Sequence, residues 1–180
     1  LYLTLNTNEF DESIIYKGIG EKPNNFLAQY FLYNEKNTLS NQEYTSILEE
    51  GFYNLETNKY KELIEMLEKT VDDNAAFVSL QKDKFYYKML SNILRKSGNS
   101  FFRSNSTNSI SNFLESSIKN IHFEDTLLYQ SNRYYKSFFN NYFTIGLVAD
   151  NQNCVDLFLN KLNNNQKTNI IQLIGRGISF

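Results

Sequence analysis

The stretch "NRYYKSFFNNYF", residues 132–143, places six aromatic rings in twelve positions. On an α-helix each residue turns by about 100°. Spacing by four residues then gives two adjacent lines of rings: Tyr134, Phe138, Tyr142 and Tyr135, Phe139, Phe143. A surface that stacks nucleic-acid bases combines separated rings with a basic groove, whereas only Arg133 and Lys136 lie near these rings. The stretch therefore predicts a helix whose rings form a hydrophobic core.

Apolar residues at helical spacing recur through most of the chain and predict a mainly α, multi-helix bundle-like fold. Predicted helices follow a start at Pro23 and Asn24, then cover Gln42–Leu55, Lys59–Val71, Ala75–Arg95, a segment from Ser109 to Ile121, the aromatic stretch, and segments around Val155–Leu162 and Thr168–Ile174. The stretch "KSGNSFFRSNSTNS", residues 96–109, is rich in Gly, Ser and Asn without periodicity. It predicts a loop that divides the helices into two groups.

The first twenty residues differ from the rest and predict a short pair of β-strands ahead of a helical domain over residues 21–180. Leu1–Leu5 alternates apolar and polar residues, and Ser13–Lys17 has a β-branched and aromatic composition. Two strands are only marginally stable by themselves. We expect them either to complete a sheet supplied by residues outside this chain or to lie against the helices. If the strands complete a sheet from outside this chain, the chain is a fragment or a processed product. Its first residues, "LYLTL", read as the middle of a strand and predict the same.

Charge and hydropathy exclude two classes of partner. The 180 residues carry a net charge of −2, with their Lys and Arg scattered among the acids, so the sequence lacks the basic face that neutralises phosphates. We therefore expect no nucleic-acid binding. No stretch approaches the 18 or so apolar residues of a membrane-spanning helix, so no membrane span is expected.

Catalytic signatures are absent from the sequence. It contains no Gly-rich phosphate loop, no CxxC, no HExxH and no GxSxG. His122, with Glu124 and Asp125 beside it, supplies too few converging ligands for a metal and no evident nucleophile. The single cysteine, Cys154, adjoins an apolar helical stripe and is expected to be a buried, inert thiol. We therefore predict no catalytic, cofactor-binding or metal residues, no cofactor, and no enzyme within this chain.

Three stretches together resemble a region of bacterial TlpA-like envelope thiol–disulfide oxidoreductases. The first is "LYLTLNTNEFDESIIYKGIGEKPNNFLAQYFLYNEK" (1–36), where a short strand pair runs into a helix. Its matching residues are Phe10, Asp11, Tyr16, Gly18, Gly20, Asn24, Asn25, Leu27 and Ala28. "DKFYYKML" (83–90) and "NRYYKSFFNNYF" (132–143) resemble later parts of the region, and "NIIQLIGRGISF" (169–180) resembles its closing helix.

The resemblance implies an N-terminal β-sheet domain, a helical middle and a C-terminal thioredoxin domain with a CxxC motif. This chain would be the helical middle. Because it has no CxxC and Cys154 stands alone, no redox residue carries over. The resemblance also implies a periplasmic or cell-envelope location.

Our leading hypothesis is a non-catalytic helical domain of an envelope thioredoxin-like protein. It would serve packing, positioning or partner binding for a redox domain, and its partner would be a protein. The alternative is a stand-alone helical protein that binds a peptide or a small apolar ligand. A weaker alternative is a hydrolase or transferase with its site around His122.

Overall fold

The fold is taken from a computed structural model that describes residues 2–4, 14–103, 109–121 and 125–149. Within these ranges it is mainly α-helical, with one small antiparallel sheet, as the sequence predicts. The strands are β1 (Tyr2–Thr4) and β2 (Ile15–Lys17). The helices are α1 (Glu21–Lys36), α2 (Asn41–Ser46), α3 (Glu49–Thr70), α4 (Ala75–Arg103), α5 (Ser109–Lys119), α6 (Thr126–Ser131) and α7 (Arg133–Val148).

The predicted strand pair is confirmed. β1 and β2 are antiparallel, with Tyr2 opposite Lys17, Leu3 opposite Tyr16 and Thr4 opposite Ile15. β2 also contacts α1, which begins shortly after it. Contact of the strand pair with a helix, one of the two arrangements expected from the sequence, is therefore present at β2.

The chain divides into two compact units, the first up to Tyr86 and the second from Tyr87 onward. In the first unit the buried core consists of Phe26, Leu63, Leu67, Val71 and Phe85. The rings of Phe26 and Phe85 lie 6.0 Å apart between centroids. This core accounts for the apolar stripes that predicted α1 and the second half of α3.

The predicted boundary between the second and third helices is wrong. The sequence predicts Gln42–Leu55 and Lys59–Val71, but the helices are α2, which ends at Ser46, and the single long α3. Ile47 and Leu48 both have extended backbone and separate the two. The polar stretch between the predicted helices belongs to α3, and its Glu56 faces inward with 8% of its surface exposed.

The aromatic stretch forms α7 and the core of the second unit, as predicted. Its five fully or nearly buried rings are Tyr135, Phe138, Phe139, Tyr142 and Phe143. They meet rings from other helices of the unit. Tyr87 of α4 lies 4.9 Å from Tyr135, Phe102 of α4 lies 5.4 Å from Tyr142, and Tyr129 of α6 lies 5.2 Å from Phe139, all between centroids.

The predicted loop over residues 96–109 is wrong for residues 96–103. α4 continues to Arg103, and Ser109 begins α5. Packing overrides the local composition here, since Phe102 is buried against Tyr142. Gly98, which reads as a helix breaker, is a buried position where α4 closely approaches Ile145 of α7.

A small polar group joins α4 and α7 among these rings. The hydroxyls of Ser91 and Ser137 lie 2.9 Å apart, and the Asn141 amide donates to Ser91 Oγ at 3.2 Å. Ser91 is buried, so these contacts satisfy a hydroxyl that would otherwise be costly to remove from water.

Candidate functional site

The residues singled out for possible chemistry, His122 and Cys154, lie outside the described residues, as do Glu124 and the predicted helices after residue 150. In the ranges that the structure covers, no three His, Cys, Asp or Glu side chains come together in an arrangement that could hold a metal ion. No described helix is both long and apolar enough to cross a membrane.

Several side-chain hydrogen bonds hold the corner between β2 and α1 together. The side chain of Asn25, on α1, accepts a hydrogen bond from the Tyr16 N–H at 2.7 Å and donates one to the Tyr16 carbonyl at 2.9 Å. A side-chain amide presents a carbonyl and an N–H side by side, as a neighbouring strand does. Asn25 therefore takes the place of a third strand along the inner edge of β2.

The turn that leads from β2 into α1 depends on two glycines in the left-handed region. Gly18 has a φ of 99° and Gly20, the N-cap of α1, has a φ of 78°. Glycine adopts these angles without the steric penalty of a side chain. The Gly18 N–H donates to the Glu21 carboxylate at 2.8 Å, and the Asn24 amide donates to the Gly20 carbonyl at 2.8 Å. These bonds fix the direction in which α1 leaves the sheet.

Lys22 ties the start of α1 to the connection between α3 and α4. Its ammonium group forms an ion pair with Asp72, and it lies 3.5 Å from Asp73 Oδ2. The hydrogen bond from Lys22 holds the pKa of Asp72 below its usual value, and the same bond raises the pKa of Lys22. A cleft of about 420 Å³ lies beside this pair, lined by Gly18, Ile19, Gly20, Glu21, Lys22, Pro23, Asp73 and Asn74.

Large apolar side chains are exposed on the strands and on the turn after them. We call this set the hairpin surface: Tyr2 is 77% exposed, Leu3 53%, Ile15 50% and Ile19 95%. Single exposed apolar side chains are ordinary on a protein surface. Here they account for three of the six strand residues, so the small sheet presents apolar side chains while its backbone is fixed by Asn25.

A second cleft, of about 600 Å³, lies between α1 and α3 and is lined by Gln29, Glu62, Glu65, Met66, Lys69 and Thr70. Next to it, the Tyr33 hydroxyl donates to Glu62 Oε2 at 2.7 Å. Burial and then this bond to a carboxylate raise the pKa of Tyr33 well above its usual value. The lining is mostly polar and charged, whereas sites for small apolar ligands are lined mainly by apolar side chains.

No protein-family model, curated protein or solved structure matches this chain. The resemblance to TlpA-like proteins thus stays a prediction. Five of the residues that carry it do come together at the β2–α1 corner: Tyr16, Gly18, Gly20, Asn24 and Asn25. Phe10 and Asp11 lie outside the described residues.

Sequence reasoning missed the way in which Asn25 and Lys22 hold the corner together. Asn25 is one of many asparagines in the chain, and its bond to Tyr16 spans nine residues. Lys22 and Asp72 are fifty residues apart. A pattern that could have drawn attention to the corner is the pair of glycines directly before a helix, since such glycines mark a turn with unusual backbone angles.

Proposed function

We propose that this chain is a non-catalytic helical module that acts by binding another protein. The observation that carries the proposal is the hairpin surface, a group of exposed apolar side chains on a sheet whose backbone is anchored to α1. Exposed apolar groups held on a rigid support are typical of protein-contact sites. The aromatic stretch contributes no such surface, because five of its six rings are buried.

The alternative function, binding of a small apolar ligand, has less support. Both clefts described above are lined largely by polar or charged side chains and glycines. A small apolar ligand gains most of its binding energy from apolar lining. The hairpin surface, in contrast, is apolar but lies on strands rather than in an enclosed cavity.

The proposal has a more specific form, in which the partner is a thioredoxin domain in the bacterial cell envelope. The resemblance to TlpA-like proteins supports it through the residues of the β2–α1 corner. Its test is the complete reading frame together with the intact mass of the native protein. A CxxC motif after residue 180 and a mass larger by about 13 kDa, which is enough for a further domain of about 120 residues, are expected. A native protein of 21.2 kDa would contradict this form while leaving protein binding in place.

Photocrosslinking in the native host tests protein binding itself. A photoreactive amino acid would replace Ile19 on the hairpin surface and, as the matched control, Lys61 on the exposed face of α3. We expect a discrete protein adduct from position 19 that position 61 does not give. Identical adducts from both positions, or none from position 19, would contradict the proposal.

A further inference from the structure

The two edges of the small sheet are not equivalent. Asn25 bonds both the N–H and the carbonyl of Tyr16, on the side of β2 that faces away from β1. Among the described residues, β1 pairs with β2 alone. The inner edge of the sheet is therefore closed by a side chain, which leaves the outer edge of β1, within the described part of the chain, as the edge where a strand can be added.

The register shows which backbone groups lie at that outer edge. Two residues directly opposite each other in an antiparallel pair are of one of two kinds. Either their backbone N–H and carbonyl groups bond to each other, or the N–H and carbonyl of both residues point away from the partner strand. Because Tyr16 points its N–H and carbonyl at Asn25, the pair of Leu3 and Tyr16 is of the second kind. The N–H and carbonyl of Leu3 consequently point outward, whereas those of Tyr2 and Thr4 point at β2.

We infer that the outer edge of β1 binds an extended segment of the partner protein, which adds a third strand to the sheet. This inference rests on the proposed function and names the form of the partner. Leu3 presents one donor and one acceptor at the spacing of a peptide backbone, and an extended chain supplies the complementary pair. The segment pairs with Tyr2, Leu3 and Thr4.

The side chains of β1 specify the chemistry of the segment further. β1 carries no charge and no proline, the features by which edge strands commonly resist pairing. Tyr2 and Leu3 are exposed on opposite faces of the sheet. A partner strand with aromatic or β-branched residues on both faces would pack against them, because such cross-strand pairs are favourable.

A partner segment fits this edge better than a second copy of the chain. Stable interfaces bury about 1,200 Å² or more, and an edge of three residues paired with itself falls far short of that. An added strand from a partner can belong to a larger contact that includes Ile15 and Ile19 on the same hairpin surface.

The test uses a synthetic peptide and NMR. The probe is an acetylated, amidated copy of residues 13–17, SIIYK, because the β2 residues within it already pair with β1 in the fold. We expect amide shifts at Tyr2–Thr4, with a Kd on the order of 1 mM, and slower hydrogen exchange of the Leu3 N–H. The Tyr16 amide, already bonded to Asn25, should not change.

Two substitutions at one position separate the backbone from the side chain. Leu3→Pro removes the outward N–H but none of the bonds to β2, and proline is tolerated at strand edges. Leu3→Val keeps the N–H. Leu3→Pro cannot donate the Leu3 N–H to the peptide, so its Kd for the peptide should rise about tenfold. Leu3→Val keeps this donor, and its Kd should change little. Nuclear Overhauser contacts between Thr4 and Ile15 report whether the hairpin persists.

Several outcomes would overturn the inference. No shift at Tyr2–Thr4 with the wild-type chain at millimolar peptide would do so, as would equal binding by both variants with the hairpin intact. If Leu3→Pro no longer forms the hairpin, the wild-type chain alone gives the answer. Hydrogen exchange of its Leu3 N–H that is equally fast with and without peptide would then contradict the inference. A further outcome is that the wild-type chain forms a dimer without peptide while Leu3→Pro stays monomeric. That result would show that the edge of β1 binds a second copy of the chain. None of these results affects an adduct from position 19, which tests protein binding separately.

Discussion

Gly98 of α4 and Ile145 of α7 approach so closely that a β-carbon at residue 98 would lie 2.6 Å from Ile145 Cδ1 and 2.9 Å from its Cγ2. The Cγ2 atom cannot move away unless χ1 of Ile145 changes, and this torsion is stiff for a β-branched residue in a helix. The glycine thus permits a close contact between α4 and α7.

We expect Gly98→Ala to lower the free energy of unfolding by about 1–2 kcal/mol, measured by urea denaturation. Overpacking costs about 1–3 kcal/mol, and the higher helix propensity of alanine offsets up to about 1 kcal/mol of it. Gly51→Ala in the exposed part of α3 is the control. The new β-carbon would lie 3.3 Å from Ile47 Cγ2, and unchanged or slightly higher stability is expected. Equal stabilisation by both substitutions would show that Gly98 is not a close contact.

Phe139→Ala should destabilise the chain by about 3–5 kcal/mol, the usual cost of emptying a large aromatic core position. Phe139 is 1% exposed, and its ring centroid lies 4.7 Å from that of Phe143. Chemical denaturation measures the loss. Asn140→Ala, at the exposed neighbouring position, should change stability by less than about 0.5 kcal/mol. A loss under about 1 kcal/mol for Phe139→Ala would contradict its place in the core and return the aromatic stretch to consideration as a binding surface.

Asn25→Leu should release β2 from α1 while leaving the helix formed. Two neutral hydrogen bonds are lost, for about 1–2 kcal/mol in total. We expect faster hydrogen exchange of the Tyr16 N–H by NMR, with unchanged helical circular dichroism. Glu35→Leu, at an exposed position of the same helix, is the control and should leave Tyr16 exchange as it is. Slow Tyr16 exchange in Asn25→Leu would mean that another group closes the inner edge of the sheet.

The Tyr33–Glu62 bond predicts a loss of stability in base. Because the folded state raises the pKa of Tyr33, the stabilisation is fully present below the usual tyrosine pKa of about 10 and is lost as the pH rises through the folded value. Tyr33→Phe should cost about 1 kcal/mol or less at pH 8, since the pair is partly exposed. Thermal unfolding should show this difference constant between about pH 8 and pH 9 and shrinking as the pH rises above about 10.

Glu62→Gln separates the charge of the carboxylate from its role as an acceptor. The amide oxygen can still accept from the Tyr33 hydroxyl, but the negative charge that opposes ionisation is gone. We expect the pKa of Tyr33 to fall toward its usual value, read from the ultraviolet absorbance of the phenolate, with Tyr33→Phe as the reference that identifies its signal. An unchanged titration would attribute the raised pKa to burial alone.

Periodicity predicted the parts of the fold in which a residue's burial follows from its own helix. The stripe of Leu63, Leu67 and Val71 is buried as expected, and so are five of the six rings of α7. Prediction failed where distant partners override local composition. Residues 96–103 read as a loop because the close contact of Gly98 with Ile145 spans 47 residues and leaves no local trace.

The β2–α1 corner shows the same limit for the candidate site. The glycines before α1 indicate a turn, but no spacing rule connects Tyr16 to Asn25 or Lys22 to Asp72. The exposure of Ile19 likewise could not be read from an apolar residue between two glycines. Side-chain partners across a turn or between helices depend on three-dimensional placement, whereas periodicity reports only the face of one element.

The hydroxyl pair of Ser91 and Ser137 has a consequence for how α4 and α7 align. Aromatic rings recur every four residues on α7 and resemble one another in size, so the packing of these rings alone discriminates only weakly against sliding by one helical turn. The same slip would part Ser91 from Ser137 and leave a buried hydroxyl without this partner, at about 1–3 kcal/mol. In an interface made mostly of aromatic rings, the serine pair therefore favours a single alignment of α4 with α7.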